Sequence, residues 1–435
     1  MRIRLEPKRV AHLIVLAVMA SVPRIGAQSP PPLRPLGPIL STSVEPLGAV
    51  SQVRALADGH VIVHDNAGRR VLLFDSTLTS FTVIADSTSQ TGNAYGSQIG
   101  GLVAARGDTT YFVDPVAYSM FVIDPRGRIV RVLAVPRPGD VNHLIGGPFG
   151  TPGVDARGRL VYMAAIPAAA PPGPGHPHAE PDSALVVRFD FTSRSLETVA
   201  KIGIPRVRYA PTSFESLGIS LVANVAVVNT MPWTDDWALL ADGTIAVVRG
   251  QEYRVEFIDT SGKISVGAKL PFDWHRMTDE EKTAQSDSTR REAQRQRAAS
   301  IARGRAQRGV VTNSDSTPRA ASSGSKRPQA PSGSAPTSLL LQFAAIDEMP
   351  DYRPAFRQGA AIGDRDGYLW IRTSKMMNGG AIYDVISRNG ELIDRIQVPP
   401  GRTIAGFGPG GGVYMGVVDG DITRLERART IVAGK

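Results

Sequence analysis

The stretch LADGHVIV, Leu56 to Val63, returns almost unchanged as LADGTIAV, Leu240 to Val247. A sequence that repeats itself folds into units that bury their faces on neighbouring units, so this repeat constrains the fold more than any single motif. The phrase has two halves. The first is a turn followed by an apolar strand: ADGHVIVHD from Ala57, ARGDTTYFVD from Ala105, DARGRLVYMA from Asp155, ADGTIAVVRG from Ala241, DRDGYLWIRT from Asp364 and a degraded GPGGGVYMGVV from Gly408. The second is a strand that ends in a turn, as in MFVIDPRGRIV from Met120 and VEFIDTSGKI from Val255. Glycine or asparagine beside aspartate supplies the positive φ of a tight hairpin. β-Branched and aromatic residues fill the flanking strands.

The turn glycines Gly59, Gly107, Gly158, Gly243, Gly367 and Gly411 are spaced by 48, 51, 85, 124 and 44 residues. The short spacings suit a four-stranded propeller blade of about 40 to 50 residues. The long ones are a blade plus an insertion. The expected fold is therefore all-β: a six-bladed β-propeller of four-stranded antiparallel blades, with a helical then disordered basic insertion between blades 4 and 5. A radial array buries both faces of every sheet, which an isolated sheet leaves wet. A β-sandwich or two smaller β-domains is the alternative, and repetition of one two-part phrase argues against it. GPILSTSVEPL, Gly37 to Leu47, is expected to add an outer strand to the C-terminal blade and close the ring.

Residues 1–27 read as an export signal: Arg2, Arg4, Lys8 and Arg9, an apolar run from Val10 to Val22, then small Ala27 at the cut. The run is shorter than the roughly 20 apolar residues a spanning helix needs, and an uncleaved anchor is the alternative. Cleavage there leaves 408 residues, destined for the periplasm or the cell exterior, with no transmembrane segment. A Pro-rich linker follows at 28–36, then blades 1–4 with the closing strand at 37–271, the insertion at 272–338 and blades 5–6 at 339–435. The insertion opens with Thr278 and Glu281 spaced as a capping box before good helix formers. Ser, Pro, Ala and Gly then dominate to Pro336, the composition of a segment that stays disordered. Pro167–Ser183 is a second such loop, and the apolar stretch between Ile204 and Asp236 is expected to be ordered over one face of the disc.

The chain has no cysteine, so disulfides and thiolate metal sites are excluded and stability must come from buried apolar surface. At this length about three quarters of the unfolded surface can be buried. The net charge of +9 is local: residues 1–27 carry five basic and one acidic residue, residues 286–337 ten basic and three acidic, and the remainder is −2. A near-neutral folded part without interleaved basic and aromatic residues excludes nucleic acid as a partner.

Local motifs add little chemistry. His60 and His64 lie about 13 Å apart along a strand, too far to share a zinc ion, and read as a strand-surface pair. His176 and His178 lack a third ligand. GFGPGG, Gly406 to Gly411, has the letters of a dinucleotide fingerprint, but strand follows where a helix is required, so it reads as a turn. GSQIGG, Gly96 to Gly101, lacks the spacing of a nucleophile elbow. What remains is geometry: residues just ahead of the inner strands ring one mouth of a propeller channel. These are Gln98, Asn142, His143, Trp233, Asp235, Asp236, Tyr352, Arg353, Arg357 and Arg402. The mixture suits a small polar ligand, or a hard cation held by oxygens, with Asn142, Asp235 and Asp236 as the candidate ligands. No catalytic residue is assigned.

With DGYLWIRT, DPRGRIVRVLAVP and DTSGKISVGAKLP in view, the chain resembles the six-bladed β-propeller superfamily of NHL-repeat and SMP-30/gluconolactonase-like proteins. It is similar in particular to exported bacterial members in which YRPAF, here Tyr352 to Phe356, precedes a DGxLW strand, here Asp366 to Trp370. The resemblance covers most of residues 40–430 outside the insertions and implies the fold. Its lactonase branch implies a channel-centred divalent cation bound by Glu, Asn and Asp, for which no full set matches here. Two functions are expected. The first is a monomeric, non-catalytic exported module that binds an unknown protein or small polar ligand. The alternative is a calcium-dependent hydrolase of lactone or ester type, with quinoprotein dehydrogenase a distant third.

Overall fold

The computed structural model describes residues 30–88, 93–166, 181–216, 219–311, 342–420 and 422–432. By contacts the chain divides into Met1–Pro30 and Pro31–Lys435, and the second unit holds every described strand. The expected signal at 1–27, the histidines His176 and His178 and the run 312–338 expected to be disordered lie outside the described residues.

The described residues open with two short strands, β1 (Leu33–Pro35) and β2 (Ile39–Thr42). The first repeat then builds an antiparallel sheet of β3 (Val50–Ala55), β4 (Val61–Asp65), β5 (Arg70–Phe74) and β6 (Phe81–Asp86). The next two repeats supply β7 (Gly101–Ala104), β8 (Thr110–Asp114), β9 (Ser119–Ile123) and β10 (Ile129–Ala134), then β11 (Gly153–Val154), β12 (Leu160–Met163), β13 (Ser183–Phe189) and β14 (Leu196–Gly203). An added hairpin, β15 (Arg208–Ser216) and β16 (Ile219–Val228), precedes the sheet of β17 (Asp236–Leu239), β18 (Ile245–Arg249), β19 (Arg254–Ile258) and β20 (Ile264–Val266). After helix α1 (Asp279–Val311), the short β21 (Gln342–Phe343) pairs in parallel with β16. The remaining strands are β22 (Phe356–Gly363), β23 (Leu369–Met377), β24 (Gly380–Ile386) and β25 (Leu392–Gln397), then β26 (Arg402–Gly408), β27 (Gly412–Asp419) and β28 (Ile422–Arg429). β1 joins β25 in parallel, and β2 joins β28 antiparallel.

The architecture is all-β and propeller-like, but the expectation of six separate four-stranded blades needs correction. Four sheets stand as single blades: those begun by β3, β17, β22 and β26, the one begun by β22 having five strands through β1. The second and third repeats instead merge into one eight-stranded sheet through a single parallel pairing of Gly153 with Ala104. The cause is local. A Cβ on Gly153 would sit 2.9 Å from Leu239 Cδ2 of β17, so a glycine here lets the two-residue β11 lie close against the next inner strand, and its pairing partner on β7 is the neighbouring Ala104.

Successive repeats bury their faces on one another. Ile62 and Leu73 of the first sheet meet Phe112 and Ile123. Val161 and Val186 meet Trp237 and Val247, and Val248 and Val255 meet Phe356 and Leu369. Trp370 and Tyr383 pack with Val413 and Met415, while Tyr414 and Leu425 return to Val61, Val63 and Leu72 of the first sheet. That last contact closes the ring. Trp237, Trp370, Tyr162 and Tyr253 are all fully buried, and truncating such a side chain to alanine costs about 3–5 kcal/mol.

Candidate functional site: the axial cavity

The innermost strands β3, β7, β11, β17, β22 and β26 surround a cavity of about 930 Å³. Its wall is largely apolar or backbone, with Val53, Leu102, Val154, Leu239, Ile362 and Phe407 among the lining residues. Gly406 belongs to this wall for steric reasons, since a Cβ there would lie 2.8 Å from the Val53 carbonyl oxygen. The few polar side chains in the upper wall are tied to the frame. Gln52 Nε2 donates to the Ile145 carbonyl at 2.9 Å while its Oε1 accepts from Leu102 N at 3.0 Å, joining two repeats. Thr151 Oγ1 donates to the Ala361 carbonyl at 2.9 Å, joining two more.

Charge concentrates at the end where the inner strands run into their turns. Arg54, Arg106 and Arg365 all line the cavity there. Arg54 Nη2 donates to the Gly107 carbonyl at 2.6 Å, and Arg365 Nη2 donates to the Ala55 carbonyl at 2.8 Å, reaching from β22's turn to the end of β3. Asp108 stands near: its Oδ2 accepts from Ala57 N at 2.9 Å and its Oδ1 lies 3.6 Å from Arg365 Nη2. Burial, and then the neighbouring Arg365 guanidinium, lower the Arg54 pKa to about 10 against the pull of Asp108. Arg54 is still charged at neutral pH.

None of the ten residues expected at a channel mouth lines this cavity. Gln98 and Asn142 are exposed, and His143 is half-buried with its ring centroid 4.4 Å from that of Phe149, its pKa lowered by burial. Trp233 and Asp235 line a separate cavity of about 710 Å³ between β14, β18 and the segment leading to β22. Arg353 lines a third, of about 280 Å³, with His275, Glu281 and Lys375. Tyr352 is exposed, and Arg402 is held by both oxygens of Glu426, at 2.6 and 3.0 Å. Arg357 keeps a cationic neighbourhood: desolvation first, then Arg372 and Arg353, hold its pKa below the ordinary value.

The carboxylates offered as cation ligands are engaged by the protein itself. Asp235 accepts from Gly203 N at 2.8 Å, Gly250 N at 3.0 Å and Arg249 Nη1 at 2.7 Å. Asp236 is buried; its Oδ2 accepts from Ala360 N at 2.7 Å and Ala361 N at 2.8 Å, and its Oδ1 from Trp237 N at 2.9 Å. Asn142 lies in a 3₁₀ turn, Pro138–Ile145, on another part of the ring. Among the described residues no group of three or more His, Asp and Glu side chains is placed to hold a metal ion. The residues present therefore do not fit the calcium site expected by resemblance.

The histidine pair also differs from its expected surface setting. His60 is partly exposed beside Asp58, but His64 is buried between Tyr95 and Phe112. Burial lowers its pKa to about 4, so it is a neutral core residue at neutral pH. GFGPGG ends β26 and forms the turn Pro409–Gly411 before β27.

A ring of β-sheets around an axial cavity defines a propeller-type fold. No family model matches the chain, and no curated protein matches it in sequence. Similar solved structures include a gluconolactonase from Xanthomonas campestris, 13% identical, covering 91% of this chain and 99% of that one, with a TM-score of 0.37. A calcium-binding regucalcin from Agrobacterium tumefaciens is 10% identical over 92% and 99% of the two chains, TM-score 0.39. A virginiamycin B lyase from Staphylococcus aureus is 8% identical over 88% and 96%, TM-score 0.37. The propeller assignment itself rests on the strand pairing and closed packing of this chain.

Proposed function

We propose that this chain is an exported, monomeric β-propeller that serves as a non-catalytic binding module and takes a small ligand in its axial cavity. In this reading the eight-stranded sheet counts as two blades joined at Gly153, which makes the ring six-bladed. The observation that carries the function is the axial cavity itself: inner strands from every repeat line it, and its polar groups fix the frame or carry positive charge.

A second reading, a calcium-dependent hydrolase of lactone or ester type at the same channel, corresponds better to the names borne by the similar structures, a gluconolactonase and a regucalcin. Identities of 10–13% and TM-scores below 0.4 do not carry it, and the donor set described above does not fit its metal.

The test is a cavity-filling variant. Ala104 lines the cavity as an exposed residue, so Ala104→Trp fills space without displacing a packed side chain. Ligand-observed NMR against small polar and amphipathic compounds should give hits with the wild type that Ala104→Trp abolishes. Hits that survive the substitution place binding elsewhere and reject the proposal.

A further inference from the structure

We infer that the ligand of the axial cavity is a small organic anion, its charged head held by Arg54, Arg106 and Arg365 and its apolar body lying along the wall. This rests on the reading of the cavity as the binding site and adds the chemical class of the ligand.

The charge balance at the cavity floor points to an anion. Three guanidiniums line it together with two carboxylates, Asp155 and Asp364, and both carboxylates are committed elsewhere. Asp155 accepts from Arg157 N and Arg159 N through one oxygen, and the other meets Arg159 and Arg188. Asp364 accepts from Asp366 N, Tyr368 N and the Trp370 indole N–H. That leaves Asp108, 3.6 Å from Arg365, to oppose three positive charges.

The donors are also incompletely used. Arg54 Nε is buried without a hydrogen-bond partner, a state that interiors rarely tolerate unless something else supplies an acceptor. Arg106 is exposed to the cavity and has no ion-pair partner among the described residues. Arg54 and Arg365 repel each other, which adds to burial in lowering the Arg54 pKa, and an anion between them relieves that repulsion. Guanidinium forks bind carboxylate and phosphate oxygens in pairs, and they do so more strongly in a partly desolvated site than at the surface. The apolar wall then selects among anions, because a bare inorganic ion leaves Leu102, Leu239 and Phe407 uncovered whereas an organic one covers them.

The test uses 2-naphthoate, its neutral amide 2-naphthamide and inorganic phosphate, titrated calorimetrically into the full-length protein. Naphthoate should bind about tenfold or more tightly than naphthamide, a margin expected for one charge-assisted pair. That preference should disappear in Arg106→Gln, which breaks no internal contact, and in Arg365→Gln. Equal affinity for naphthoate and naphthamide, or a preference unmoved by Arg106→Gln, overturns the inference. If naphthamide binds equally well and Ala104→Trp abolishes it, the cavity reading stands while the anion assignment falls. If Ala104→Trp changes neither affinity, both fall. Phosphate binding as tightly as naphthoate overturns the role given to the wall.

Discussion

Asp236 shows how a residue chosen for chemistry serves structure instead. Its carboxylate is buried between β17 and β22 and receives three backbone N–H groups, so it fastens neighbouring inner strands at the axis. Burial pushes its pKa up to about 7, against the opposing pull of the Ala361, Trp237 and Ala360 N–H groups. An acid whose folded value lies above its unfolded one holds its proton more tightly in the native state. Its contribution to stability is therefore complete below about pH 4 and is lost as pH rises through about 7, by at most about 1.4 kcal/mol per pH unit. Asp236→Asn cannot titrate, and it turns an amide donor toward backbone donors. It should be less stable than wild type near pH 4 by about 1–3 kcal/mol, with the gap closing and then reversing as pH rises toward 7. Urea unfolding at several pH values measures this, and two parallel profiles would refute the raised pKa. The sequence marked Asp236 as notable because it is acidic and leads an inner strand, but nothing local reveals that its acceptors face amides 124 and 125 residues away.

At the scale of elements, legibility follows locality. Asp124, Asp155, Asp259 and Asp364 each accept, through one oxygen, from the backbone N–H groups two and four residues on. The glycine of each turn has positive φ: Gly127 at 77°, Gly158 at 85°, Gly262 at 90° and Gly367 at 92°. That hydrogen-bonding pattern is the physical content of the repeated phrase, and it is written within five residues, so the turns and their strands could be read directly. The capping box of α1 is equally local: Glu281 N donates to Thr278 Oγ1 at 3.3 Å and Thr278 N to Glu281 Oε2 at 3.0 Å. Fusion of two repeats at Gly153, and which turn arginines face the axis, depend on twist and on neighbouring sheets and were not readable. Arg106 and Arg157 both directly precede a turn glycine, yet only Arg106 lines the cavity. Pairing of β1 with β25 and of β2 with β28 makes a testable claim of its own. Arg34 pairs with buried Asp394, and Leu47 is buried where it bridges to Thr423. Deleting residues 28–48 exposes the edge of β28 and leaves Asp394 without this arginine, so the thermal midpoint should fall by about 5 °C or more. An unchanged midpoint in a calorimetric scan would show that these strands do not help close the ring.

For the whole molecule, the arrangement of charge separates the two functional readings. A propeller that works through a central cation needs oxygen donors converging on its axis. This one presents guanidiniums at one end of the axial cavity, amide and hydroxyl groups tied to backbone carbonyls along it, and carboxylates consumed by turns or by arginines. The distribution favours an anion in the channel and gives a divalent cation no assembled set of ligands among the described residues. The two readings therefore diverge in one scan. A bound ion stabilises the folded state by RT ln(1 + [L]/Kd), about 2.7 kcal/mol at a hundredfold excess over Kd, which moves the midpoint of a chain this size by several degrees. Thermal unfolding in excess calcium and then in chelator should give the same midpoint, whereas 2-naphthoate should raise it in the wild type and not in Arg365→Gln. A calcium-dependent rise of several degrees would reverse this assignment, because it requires a ligand set that the engaged Asp235 and Asp236 do not supply, and it would move lactone and ester hydrolysis to the front of the assays.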